Sequence, residues 1–92
     1  MAIFAISHSN WQTLRAAKRG AKIGRDLRYN MSRHTRDGDF LNQLVAAGLL
    51  IRINGDSDRP FESTYKLTKL GEHAAEYGEA EMTDDQYKSL LR

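Results

Sequence analysis

The feature that most constrains this chain is a change of hydrophobic period at Gly48. Before it, Phe40, Leu41, Leu44 and Val45 recur at i, i+1, i+4 and i+5, which puts four apolar side chains on one face of a helix. After it the period drops to two. Leu49–Ile53 is rich in aliphatic residues, and Phe61–Thr68 alternates, with Phe61, Ser63, Tyr65 and Leu67 on one side and Glu62, Thr64 and Lys66 on the other. Asn54-Gly55 is a strong turn signal, and the polar stretch Asp56–Pro60 holds the only proline. The two runs therefore predict a β-hairpin with a loop of about six residues. Gly48 falls where a helix ends in a left-handed residue, a conformation that costs glycine least.

Helical signals flank this unit. Ser9 and Gln12 have the spacing of a capping box ahead of a first helix over Trp11–Arg19. In that helix Trp11, Leu14 and Ala17 share one face, and Arg15, Lys18, Arg19 and Lys22 share another. Gly20 and Gly24 bracket a break, and a short second helix is expected over Ile23–Tyr29 with Ile23 and Leu27 inward. Asn30–Arg33 reads as a turn. The third helix runs between Thr35 and Ala47, or begins later with Asp39 as its cap, because Gly38 weakens the first turn. Beyond the hairpin, Thr68 caps a fourth helix over Lys69–Tyr77, with Leu70, Ala74 and Tyr77 inward and Gly78 as its stop. Glu79–Glu81 is an acidic link, and Thr83 starts a last helical stretch.

Three helices, a hairpin and a further helix is the order of a winged helix-turn-helix domain, and two motifs carry that resemblance. Phe40-Leu41-Asn42-Gln43-Leu44-Val45-Ala46-Ala47-Gly48-Leu49-Leu50 resembles a recognition helix leading into the wing. Tyr65-Lys66-Leu67-Thr68-Lys69-Leu70-Gly71 resembles the exit from it. Both are similar to MarR- and PadR-type transcriptional regulators, by motif over residues 35–78 and by element order over 10–34. The resemblance implies a mostly α, α+β winged helix over residues 10–78, an N-terminal arm over 1–9 and a C-terminal extension over 79–92. It implies a cytoplasmic transcriptional regulator that binds duplex DNA through its third helix and wing, with no cofactor and no catalytic activity. It also leaves room for a small-molecule effector between the first and fourth helices.

Charge gives that resemblance a location. Fourteen basic and twelve acidic side chains sum to only +2. They are segregated, however. From Asn10 to Arg36 there are eight bases (Arg15, Lys18, Arg19, Lys22, Arg25, Arg28, Arg33 and Arg36) and one acid, Asp26, a local charge of +7. From Asp37 onward eleven acids and six bases leave −5. Such asymmetry points to a polyanionic partner. In a helix-turn-helix the second helix and the turn touch the backbone while the next helix enters the major groove. The expected DNA-contacting residues are therefore Lys22, Arg25, Arg28, Ser32, Arg33, His34, Thr35 and Arg36, with Arg59 on the wing. Asp37 and Asp39, in the first turn of the third helix, favour an alternative: a winged-helix protein-interaction module within a larger assembly. RNA binding is a third reading that the sequence leaves open.

Other chemistries find no support in the residues. The absence of cysteine excludes disulfides, thiolate-bound zinc and a catalytic thiol. His8, His34 and His73 are too dispersed for a metal site. Gly20 and Gly24 do not have the spacing of a phosphate loop, and no serine lies in a nucleophile elbow. With 40% hydrophobic and 28% charged residues the chain is expected to fold, not to stay disordered. No apolar stretch is long enough to span a membrane. Ile3, Phe4 and Ile6 at one end, and Tyr87, Leu90 and Leu91 at the other, lie outside the minimal winged-helix core. They are the expected surface of a homodimer.

Overall fold

A computed structural model describes residues 2–27 and 38–91. Helix α1 spans His8–Ala16 and starts earlier than the Ser9 signal suggests. Its cap is Ser7, whose Oγ accepts from the Asn10 amide at 3.3 Å. Ser9 lies inside the first turn, where its carbonyl accepts from the Thr13 hydroxyl at 3.1 Å. The inward face carries Thr13, Leu14 and Ala17, all buried, with Trp11 half-buried beside them.

The helix expected over Ile23–Tyr29 is replaced, as far as Leu27, by a two-residue strand and a 3-10 turn. Strand β1 covers Ala2–Ala5, and β2 covers Lys22–Ile23, with the turn at Gly24–Leu27. The reason is a close approach at Gly24. Its amide donates to the Ser63 carbonyl at 2.7 Å, and a Cβ built there would lie 2.1 Å from the Pro60 carbonyl oxygen. The chain is thus held against the hairpin as a third strand, which leaves Ile23 partly exposed instead of inward, while Leu27 is fully buried. The remainder of that predicted helix, the Asn30–Arg33 turn and the start of the third helix lie outside the described residues.

Helix α2, Asp39–Ala46, is the third helix of the sequence reading. Its N-cap is Gly38 rather than Asp39, and it buries Phe40, Leu41 and Leu44. Gly48 follows with a φ of +79°, the left-handed turn that releases the chain into β3, Leu50–Asn54. Strand β4, Thr64–Leu67, pairs antiparallel with β3 in the register Leu50↔Leu67 and Arg52↔Tyr65. On its other side β4 pairs with β2 through Lys22↔Tyr65, so the sheet order is β2-β4-β3. Phe61 belongs not to the strand but to a 3-10 turn at Pro60–Glu62, where its ring packs 6.2 Å from that of Phe40.

Helix α3 occupies Lys69–Tyr77, capped by Thr68 and ended by Gly78. It buries Gly71, Ala74 and Ala75, so its inward stripe is rotated away from Tyr77, which is 67% exposed and packs on His73. The acidic link is instead strand β5, Glu79–Met82, antiparallel to β1 with Ala2↔Met82 and Ala5↔Glu79. Its alternation puts Ala80 and Met82 inside and Glu79 and Glu81 outside. Helix α4, Asp84–Lys88, begins with a capping box between Thr83 and Gln86.

Both ends of the chain belong to the same body as the middle. Ile6, Ala80 and Met82 join Leu14, Leu27, Leu41, Leu44, Leu49, Leu50 and Tyr65 in one hydrophobic cluster. Of the expected arm over 1–9 and extension over 79–92, the described residues 2–9 and 79–91 are therefore integral to the domain rather than appendages of a 10–78 core. The architecture is a small α+β domain with two antiparallel sheets.

Candidate nucleic-acid interface

Three of the nine expected DNA-contacting residues fall in the described structure. Lys22 lies half-buried in β2, Arg25 is exposed in the 3-10 turn that follows, and Arg59 is exposed in the hairpin loop. Arg28, Ser32, Arg33, His34, Thr35 and Arg36 lie outside the described residues. Lys22 and Arg25 flank the basic end of α1, but Arg59 is set in a different environment. Its guanidinium pairs with Glu62 at 3.6 Å, and the pair is exposed.

The strongest grouping of cations is one the sequence reading placed only as a helix face. Arg15, Lys18, Arg19 and Lys22 line a single open hollow of about 880 Å³, together with Gln12 and Ala16. No acid is among these residues. Arg15 is braced from behind, its guanidinium carbon 4.7 Å from the centre of the Trp11 ring. Trp11 is itself fixed by its indole N–H, which donates to the Ala75 carbonyl at 3.0 Å. Lys18 reaches across to α3, where its Nζ donates to Glu76 Oε2 at 2.8 Å. That hydrogen bond and the ammonium charge hold the Glu76 carboxyl below its ordinary pKa of 4.5. The spacing Trp11–Arg15 was legible as an i, i+4 pair, whereas Lys18 and Glu76 are 58 residues apart and no local pattern announces them. Helices α1 and α3 meet through these contacts.

Helix α2 is chemically different. Asp39 is its single charged residue, and its outward positions are Asp39, Asn42, Gln43 and Ala46. Asn42 ties the hairpin to the helix: its Oδ1 accepts from Arg52 Nη2 at 2.8 Å, and its Nδ2 donates to the Ser57 carbonyl at 3.1 Å. Arg52, whose guanidinium also lies 5.8 Å from the Tyr65 ring centre, thus serves the fold. The loop is equally preoccupied with itself. Asp56 Oδ1 accepts from the amides of Asp58 and Arg59 at 3.0 and 3.1 Å. The fully buried Ser63 hydroxyl sits 2.9 and 2.8 Å from the carbonyl oxygens of Asp56 and Arg59. Tyr65 donates its hydroxyl proton to the Pro60 carbonyl at 3.1 Å. The result is a pinned hairpin loop that presents Asp56, Asp58 and the Arg59–Glu62 pair.

The residues expected to form a dimer are mostly used within the chain. Ile6 is 8% exposed and belongs to the core, which removes it from that set. Phe4 stacks on Tyr87 with ring centres 4.1 Å apart and planes 10° from parallel, and Leu90 packs against the same core. Ile3 and Leu91 stay exposed. Two such side chains fall far short of the roughly 800 Å² per partner that a stable interface buries.

Among the described residues no three His, Asp or Glu side chains gather as a metal site, and no helix is long and apolar enough to cross a membrane. Comparison with known protein families, with characterised proteins and with solved structures finds no match for this chain.

Proposed function

We propose that this chain is a small DNA-binding domain of the winged helix-turn-helix kind, with transcriptional regulation as its role. The observation that carries the reading is the convergence of Arg15, Lys18, Arg19 and Lys22 on one open hollow free of acids in its described lining. Phosphate neutralisation by Lys and Arg supplies most nonspecific affinity for duplex DNA. The element order supports the winged-helix part of the proposal: α1, the β2 segment, α2, the β3–β4 hairpin, then α3. So do the two motifs, whose Gly48 and Thr68 occupy the helix-ending and helix-capping positions that the resemblance requires.

The test is a fluorescence-anisotropy titration of a labelled duplex of about 20 base pairs at two salt concentrations. Binding that weakens steeply with salt supports the proposal. Absence of any duplex affinity at low salt removes it.

A second reading, a protein-interaction module, is favoured by one specific observation. The outward residues of α2 and the hairpin loop are mostly acidic or neutral, with Asp39, Asp56, Asp58 and Glu62 there against one base, Arg59. That reading predicts a partner surface rich in lysine and arginine and no dependence of folding or solubility on DNA.

A further inference from the structure

We infer that duplex DNA is held mainly by its phosphate backbone on the cationic ridge at the end of α1, without base reading by α2. The inference rests on the proposed DNA binding and specifies which face performs it. Three observations lead to it.

The first is where the mobile positive charge lies. Arg15, Lys18 and Arg19 are exposed, Lys22 is half-buried, and the four share one hollow. Arg15 lies in the last turn of α1, Lys18 and Arg19 in the turn that follows the helix, and Lys22 in β2, so the cations run off the helix end toward the sheet. At about 880 Å³ the hollow is far larger than one phosphate and suits a length of backbone. Arg15 and Lys18 are pre-positioned by Trp11 and Glu76, which lowers the ordering cost of engaging a polyanion.

The second is what α2 lacks. Base reading in the major groove relies on Arg, Lys, Asn or Gln with donors directed outward. The described helix has no cation, begins with Asp39, has its Asn42 amide engaged at both ends by Arg52 and Ser57, and leaves Gln43 as its one outward side chain of the base-reading type.

The third separates duplex from single strand. Proteins that grip single strands offer aromatic platforms for base stacking. Among the described residues the hollow is lined by Gln12, Arg15, Ala16, Lys18, Arg19 and Lys22, none aromatic, and the nearby Trp11 ring has the Arg15 guanidinium over it.

The experiment uses the full chain and three unrelated duplexes of equal length, plus one strand of each. The three duplex affinities should agree within about threefold, whereas sequence-specific readers discriminate by a thousandfold or more. Four phosphate contacts give a logarithmic salt slope of about −3 or steeper, or at least a 60-fold loss from 50 to 200 mM salt. Lys18→Gln/Arg19→Gln should flatten that slope by about 2 and lower the unfolding midpoint only slightly, since both side chains are exposed and the ion pair lost with Lys18 is an exposed one. Arg15→Gln/Lys22→Gln should flatten it similarly, and Gln43→Ala should change neither slope nor affinity. No wild-type duplex binding at 50 mM salt overturns the proposed function itself. Duplex binding with an unchanged slope in both double variants overturns this inference alone. A strong preference for one duplex that Gln43→Ala erases does the same, as does tighter binding of the single strands.

Discussion

Helix α3 touches the start of the hairpin at a point that admits no side chain, and this makes Gly71→Ala a sharp test of the packing. A Cβ built on Gly71 would lie 1.9 Å from the Leu49 carbonyl oxygen and 2.9 Å from its carbon. Both are backbone atoms, so neither can rotate aside. Restoring ordinary contact requires α3 to retreat by roughly 1.5 Å. Such overpacking costs about 1–3 kcal/mol. The retreat also strains the Thr68 hydroxyl bond to the Gly48 carbonyl and the Thr68 amide bond to the Leu49 carbonyl, at 3.2 Å. Each is worth about 0.5–1.5 kcal/mol. Against this, alanine gains about 1 kcal/mol over glycine as a helix former. The balance is a loss of about 1–5 kcal/mol, or a fall in Tm of at least roughly 4 °C for a domain this size. Thermal unfolding followed by circular dichroism measures it directly. An exposed helical glycine would respond in the opposite direction, so a Tm equal to or above wild type refutes the close approach of α3 to Leu49.

Four further substitutions probe the fold and the ridge. Ile6→Ala should cost about 2–4 kcal/mol in urea unfolding because Ile6 is a core residue, whereas Ile3→Ser should stay within about 0.5 kcal/mol; equal effects would return the arm to the status of an appendage. Ser63→Ala removes the one hydroxyl that braces the Asp56 and Arg59 carbonyls. It should cost about 1–2 kcal/mol and raise hydrogen exchange in the 55–63 loop; an unchanged exchange pattern contradicts a pinned loop. Glu76 has a folded pKa below its ordinary 4.5 because of Lys18, so its ion pair adds stability above that value and loses it as pH falls through the folded pKa. Wild type and Glu76→Gln should therefore differ slightly near neutrality and converge in acid, and a difference that persists at low pH argues against the pair.

The elements were unevenly legible, and the reasons are physical. Helix α3 was readable to the residue, because Thr68 and Gly78 are strong local signals at its two ends. Strand β3 was readable to within a residue from its aliphatic run, whereas only Thr64–Leu67 of the alternating Phe61–Thr68 stretch is strand: Pro60 begins a 3-10 turn that takes in Phe61 and Glu62, with Phe61 against Phe40. Ile23 was misplaced because two residues of helical spacing weigh less than a backbone approach at Gly24 that only the folded hairpin creates. The acidic look of Glu79–Glu81 hid a strand whose buried members are Ala80 and Met82. Its partner β1 is more than 70 residues away, and pairing over such a distance leaves no local trace. At the candidate site the helical spacing of Arg15, Lys18, Arg19 and Lys22 was visible in the sequence. That they share one hollow, with Lys18 held by Glu76, was not.

Local chemistry, then, determined much of the punctuation: helices α1, α2 and α3 and the hairpin, where caps and glycines end them, and where the positive charge is concentrated along the chain. These follow from interactions within a few residues, which spacing records. Tertiary structure decided how the ends join the core, which cations converge, and that Asn42, Arg52 and Ser63 spend their hydrogen bonds on the hairpin. Those outcomes depend on contacts between residues distant in sequence, formed only once the apolar cluster from Ile6 to Met82 has closed.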